Sequence, residues 1–346
     1  MKSSRYEISE DMSQRLNIMK FLFMVLVIFI HSEALPEFPF ELQTPTYVAL
    51  CKDIVVDGVC VIAVPGFFFI SGFLLFSKDF SWLGNLKKKV RSMVIPYLII
   101  NTFWILFFKC MQNIEVVAPF FAGDAYQIDG VDGFIGAYFN PIPLYYPFWF
   151  LRDLIILNLF ATTIRIVINK FPIISLVAIV ALAFNVIKIP LLVSNESFCM
   201  FTLSYYLVKY RVQVKKLENV SLLMPGIAFG GLAGIMLWAW NHAVIRLLLI
   251  VAGLVFFYVL AGKIRKSRSA KGFLWCSQFT FFIYAFHEFY EAMLKKVIMM
   301  TIPQYGWVQL AEFLLIPFAV TGVCILAGAI FRKYMPRVYG LVCGSR

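Results

Sequence analysis

The sequence predicts an all-α integral membrane protein, a bundle of about ten transmembrane helices with both the N- and C-termini cytoplasmic. Three observations lead there. Of the 346 residues, 61% are hydrophobic and 14% are charged, against about 45–50% and about 25% in an ordinary soluble domain. Mean hydropathy is +0.83. The apolar residues are gathered in runs close to the roughly 20 residues that cross a hydrocarbon core of about 30 Å.

The ten expected spans lie at about 16–34, 58–77, 93–110, 146–166, 171–188, 197–209, 219–238, 244–262, 273–294 and 308–331. With the first residue inside and sides alternating, the inner segments hold 24 of the 31 Lys and Arg residues, and the outer segments hold 14 of the 19 Asp and Glu residues. Cytoplasmic loops of membrane proteins carry such an excess of Lys and Arg. An odd number of spans would break the alternation. The net charge of +12 is therefore a topology signal and does not point to a nucleic-acid partner. No repeat or low-complexity linker divides the chain, so residues 1–346 read as one polytopic domain with its spans within about 16–331. The seven cysteines are scattered and form no C-x-x-C pair, which argues against a disulfide framework and against a metal site. Residues 1–34 look like a signal peptide, but no small-residue cleavage pattern follows and further spans do, so they read as an uncleaved first span.

The first span, RLNIMKFLFMVLVIFIHSEA at 15–34, carries Lys20 and His31. Eleven steps at 3.6 residues per turn rotate about 1100°, three turns plus about 20°, and rise about 16 Å. The two side chains share a stripe that should face other helices or a wet cavity and not lipid. A snorkelling lysine and an interfacial helix-end histidine are the plain alternatives. The second span closes on VPGFFFISGFLLF at 64–76, where Gly66, Ser71 and Gly72 suit close helix packing. A basic stretch, LGNLKKKVRSMVIPY at 83–97, leads into the third span. Lys88 and Arg91 share a helix face there, either for anionic lipid or as a phosphate clamp.

The longest loop, 111–146, lies outside with Asp124, Asp129 and Asp132 and reads as a lid, an acceptor-binding loop or solvated filler. It leads into PFWFLRDLIIL at 147–157. Trp149 there suits an interfacial belt, whereas Arg152 and Asp153 go deeper than a belt requires and should face a cavity. In the ninth span, FTFFIYAFHEFYE at 279–291 places His287 and Glu288 in the outer half.

Together these stretches resemble the membrane acyltransferase-3 family, bacterial O-acyltransferases that modify surface glycans and related acceptors. The family's R-x10-H is met by Lys20-x10-His31, and the end of its second span by VPGFFFISGFLL. Its R-x-x-R before Pro-Tyr is met by Lys88-x-x-Arg91 with Pro96-Tyr97. Its W-F-L is met by Trp149-Phe150-Leu151, and its Y-x-x-H by Tyr284-Ala285-Phe286-His287. Two arginines of the pattern are lysines here, which keeps the charge and loses the planar fork. The chain ends at Arg346 without the esterase-like domain of larger members, so it resembles the short, membrane-only type.

The resemblance implies a transferase that moves an acyl group from cytoplasmic acyl-CoA, acetyl-CoA by preference, to a hydroxyl of a surface glycan or lipid-linked sugar. It implies a setting in the lipid of a bacterial inner membrane, with the oligomeric state left open. Lys20, Lys88 and Arg91 would then meet the donor's phosphates. His31, with an imidazole's ordinary pKa of about 6.5, would accept the hydroxyl proton or carry the acyl group covalently. Trp149, Arg152 and His287 would meet the acceptor or polarise the carbonyl. The rival class is a polytopic transporter or flippase, which also needs intramembrane charge, although no paired broken helices or repeat symmetry are visible.

Overall fold

The computed structural model describes residues 6–33, 44–115, 117–118, 130–140, 143–187, 193–238 and 242–344. Asp124 and Asp129 of the long loop lie outside the described residues. Helices are the regular structure of the described residues, joined by turns and short loops, with no strand among them.

The first helix, α1 (Glu10–Glu33), starts ahead of the apolar run. The Ser9 hydroxyl accepts the Met12 N–H at 3.2 Å, and Glu10 and Asp11 sit in the first turn, both favourable at a helix N-terminus. α2 (Thr46–Phe76) begins about a dozen residues before its expected start. It contains a π-helical turn at Ile54–Val59 and a 3-10 turn at Cys60–Ile62. α3 (Trp82–Gln112) absorbs the whole basic stretch. Its N-cap is Ser81, whose hydroxyl accepts the Gly84 N–H at 3.1 Å. A second π turn, Val90–Val94, falls directly before Pro96, where the missing N–H interrupts the regular ladder. α4 (Gly130–Phe139) occupies part of what reads as loop in the sequence.

Next come α5 (Trp149–Lys170), α6 (Pro172–Ala183), α7 (Asn195–Lys209), α8 (Leu223–Trp238) and α9 (Ala243–Arg265). They are followed by α10 (Ala270–Ser277), α11 (Thr280–Thr301), α12 (Gly306–Tyr334) and α13 (Pro336–Val342). Each of the ten expected segments thus contains a helix. Among the described residues, five helices (α1, α2, α3, α9 and α12) are both long and apolar enough to cross a membrane, and α6 and α8 are apolar but shorter. The protein is a multi-span all-α membrane bundle. α5 and α11 have 22 residues each and fall short on apolarity, because they carry Arg152, Asp153, Arg165 and Lys170, and His287, Glu288, Glu291, Lys295 and Lys296.

The chain forms two compact units. The first comprises residues up to Asp79, Ile173–Lys188 and Asn195–Ile330. Within it α1 is central, packed against α2, α9, α10 and α11, and Ile18, Phe23 and Ile28 are fully buried. Phe23 meets Phe67 and Phe257 edge-on at 5.9 and 5.4 Å. Its ring fills the space a side chain at Gly66 would need. A Cβ at Gly72 would likewise collide with the Phe201 carbonyl and Ser204 hydroxyl of α7. These glycines set how closely the helices approach.

The second unit comprises Phe80–Pro172, Ile189–Ser194 and Phe331–Arg346. Trp104 of α3 stacks on Tyr145 at 4.9 Å, and Tyr97 on Phe148 at 5.7 Å. The Tyr97 hydroxyl donates to the Tyr138 carbonyl at the end of α4. α13 packs on α3. Gly344, just beyond its end, has a φ of 70° and lies against the Ser92 main chain, both of which exclude a side chain.

Candidate functional site

His31, near the end of α1, and His287, in the middle of α11, face each other in the first unit with ring centroids 5.1 Å apart and planes at 66°. His287 is fully buried. Its Nδ1 lies 3.1 Å from the Ile283 carbonyl and 3.0 Å from the Tyr284 carbonyl. Carbonyl oxygens only accept, so Nδ1 carries the proton and Nε2 keeps its lone pair. That Nε2 is buried and, among the described residues, has no hydrogen-bond partner. His31 is partly buried.

The same face of α11 continues with Glu291 and Lys295, spaced i, i+4 and i+8 from His287, which places all three on one stripe. Lys295 and Glu291 pair at 3.0 Å, and both are buried. Lys295 also donates to the main-chain carbonyl of His31 at 2.9 Å, satisfying one of the carbonyls left open at the end of α1. Two helices far apart in sequence are thereby tied together beside the two imidazoles. The motifs single out neither Glu291 nor Lys295. The available signal was their four-residue spacing from His287 in a segment where charge is costly.

Lys20 stands eleven residues before His31 on α1, as the register requires, and is half-buried. Further toward the start of α1 lies a cluster that reads in the sequence only as topology charge. Arg15 is 2% exposed and pairs with Asp11 at 2.5 Å. Asp11 also pairs with Arg265 of α9. The Arg15 guanidinium lies 5.1 Å from the centre of the Tyr258 ring and against Gly262, where any side chain would displace it.

Lys88, Arg91, Trp149 and Arg152 belong to the second unit. Lys88 and Arg91 are exposed near the start of α3, with Arg91 inside the π turn. Trp149 opens α5 and is partly buried. Arg152 pairs with Asp153 at 2.9 Å, and the second carboxylate oxygen of Asp153 accepts the Ser194 N–H at 2.9 Å. The charge of Arg152 is thus matched locally. Among the described residues no group of three or more His, Cys, Asp or Glu side chains could hold a metal ion.

A buried imidazole with an open nitrogen, beside a second imidazole, is the equipment of a proton-transfer site in a water-poor setting. The family described as an acyltransferase domain matches residues 13–331, and this chain belongs to that acyltransferase-3 family. It is an acyltransferase that transfers groups other than amino-acyl groups. The chain is also 21% identical, over 97% of its own length and 93% of the relative's, to the succinoglycan biosynthesis protein ExoH of Rhizobium meliloti (strain 1021). No solved structure matches.

Proposed function

We propose that the protein moves an acetyl group from cytoplasmic acetyl-CoA to a hydroxyl of a surface glycan or lipid-linked sugar, in a bacterial inner membrane. The observation that carries this reading is the His31–His287 pair, 5.1 Å between ring centres, with the open Nε2 of His287. The relative named for succinoglycan biosynthesis supports a saccharide acceptor.

The donor, when bound, supplies a thioester carbonyl and a thiolate leaving group. The chain supplies cations for its phosphates: Lys20 on the stripe that leads to His31, and the exposed Lys88 and Arg91. Exposed side chains at helix starts are reachable by an anion, and ammonium and guanidinium groups suit phosphate oxygens. His31 takes the proton of the attacking hydroxyl. His287 stands beside it with Nδ1 committed to main-chain carbonyls, so its Nε2 is the next site to which that proton can pass. Trp149 and Arg152 are assigned to the acceptor. Lys295 holds the His31 main chain in place.

The charge split of 24 Lys and Arg inside against 7 outside supports ten spans with both termini cytoplasmic. The family match, unbroken over 13–331, supports one acyltransferase domain built from both compact units. Membranes containing the protein should consume labelled acetyl-CoA and deposit the label in saccharide. Label consumed at the rate of control membranes would remove this reading.

A further inference from the structure

The start of α1 is held by a charged cluster that the acyltransferase motifs do not include. Asp11 takes one arginine from its own helix, Arg15 at 2.5 Å, and one from α9, Arg265. Arg15 is 2% exposed. Its guanidinium lies 5.1 Å from the centre of the Tyr258 ring and fills the space that a side chain at Gly262 would need. Sliding α1 along α9 by one turn, about 5.4 Å, would part Asp11 from Arg265 and lift the Arg15 guanidinium from its seat. Turning α1 about its own axis would do the same. The chain just ahead of α1 is fixed as well. The Tyr6 hydroxyl donates to the Val212 carbonyl at 2.7 Å, and its ring meets Phe73 edge-on at 5.3 Å.

Such a cluster is a poor source of stability. Buried charges lose in desolvation about what they gain in attraction, and apolar residues of similar volume serve as well or better. The best-attested use of buried ionic groups is to fix register. α1 is the helix whose register counts here, because it carries both Lys20 and His31. These two positions are held from opposite ends. Lys295 secures the main chain of His31 at 2.9 Å. Lys20 lies only about 7.5 Å beyond Arg15 along the axis, against about 24 Å for His31. The cluster at Asp11 therefore governs Lys20 more directly than it governs the imidazoles.

We propose that Asp11, by gripping Arg15 and Arg265, is a positioning residue for donor binding. It sets the axial position and rotation of α1 and thereby aims Lys20 at the phosphates of the acyl donor. It acts through Lys20 and needs no contact with the donor itself. The proposal rests on the reading of Lys20 as a donor contact and adds to it the device that places that lysine.

The test is a double-mutant cycle on acyl-CoA kinetics, with monodisperse full-length protein in detergent. Asp11→Asn should raise the KM for acyl-CoA about three- to tenfold, up to the loss of one charge-assisted hydrogen bond, while kcat stays within about twofold. Asp11→Glu keeps the carboxylate and should recover most of the affinity. In Lys20→Ala protein, Asp11→Asn should raise KM by no more than about twofold further, because residues that act as a unit are not additive. Where Asp11→Asn does not yield monodisperse protein, Asp11→Leu combined with Arg15→Met takes its place. That apolar replacement spares stability, leaves Arg265, 29% exposed, in reach of water, and should raise KM in the same way. An unchanged KM in the folded variant, full multiplication of the Asp11 and Lys20 effects, or a loss confined to kcat or to thermal stability would each overturn the proposal. If Lys20→Ala raises KM and the Asp11 variant does not, the proposal falls alone. If Lys20→Ala leaves KM unchanged, the donor-contact reading of Lys20 falls and takes the proposal with it.

Discussion

Lys295 donates to the main-chain carbonyl of His31 across 2.9 Å while it pairs with Glu291 at 3.0 Å. A buried cation thus joins α11 to the end of α1 beside the two imidazoles. Removing one member of a buried pair leaves the other charge stranded, at a cost of about 3–5 kcal/mol. Lys295→Met should therefore lower thermal stability sharply. Lys295→Met combined with Glu291→Leu should recover most of that stability and yet leave turnover per folded molecule depressed, because the His31 backbone has lost its anchor. Recovery of both together would make the pair purely structural.

For His31 itself, His31→Ala should reduce acyl transfer by about 10²–10⁴, the usual contribution of a positioned base, with donor binding nearly intact. Turnover per detergent-monodisperse molecule is the measurement. Normal turnover in a poorly yielding variant would mean that the ring packs and does not react.

His287 can be dissected by side chain. His287→Asn retains an N–H able to reach the Ile283 and Tyr284 carbonyls and deletes the open ring nitrogen. It should fold normally and lose about 10² in turnover. His287→Ala should lose activity and also stability, since the carbonyl contacts go as well. Equal activity of Asn and unaltered protein would exclude a proton-transfer role.

Lys20→Ala should raise the KM for acyl-CoA about tenfold, the loss of one charge-assisted hydrogen bond, with kcat less affected. Lys20→Arg should match or improve on lysine, since the guanidinium keeps the charge and adds the fork. An unchanged KM in folded Lys20→Ala would leave Lys20 as a snorkelling anchor.

Topology is open to single-cysteine labelling. Tyr305 and Arg268 are both exposed and flank α11 on opposite ends. An impermeant maleimide on intact cells should reach Tyr305→Cys and spare Arg268→Cys until the membrane is opened. The reverse pattern would place the termini outside.

A helix in each of the ten apolar segments and the close-packing role of Gly66 and Gly72 were legible in the sequence, because apolar runs and small residues record burial directly. The expected ten spans nonetheless exceed the five described helices that are long and apolar enough to cross a membrane. Helix ends were not. Residues 10–15 are too polar to read as part of a span, and Lys52, Asp53 and Asp57 interrupt the apolar run at 46–57, yet Ser9 and the acidic first turn supply α1 with a start that hydropathy does not see. The meeting of His31 with His287 was visible only as two histidines at similar depth. Their contact depends on which face α11 turns to α1, and the Glu291–Lys295 spacing would have indicated that face. Arg15 was read as a boundary charge because nothing in local sequence shows that Gly262, some 250 residues later, leaves room for its guanidinium.

α11 has a consequence for how the protein is made. A segment with His287, Glu288, Glu291, Lys295 and Lys296 is poorly accepted by lipid alone, since each charged residue at mid-depth costs about 2.5–3.5 kcal/mol on insertion. Its stripe becomes tolerable only against α1, which leaves the ribosome some 250 residues earlier. Chains interrupted before α11 therefore possess His31 but lack its neighbour and its anchor. The two imidazoles meet only in the closing stage of synthesis, once nearly all of the first unit has been made.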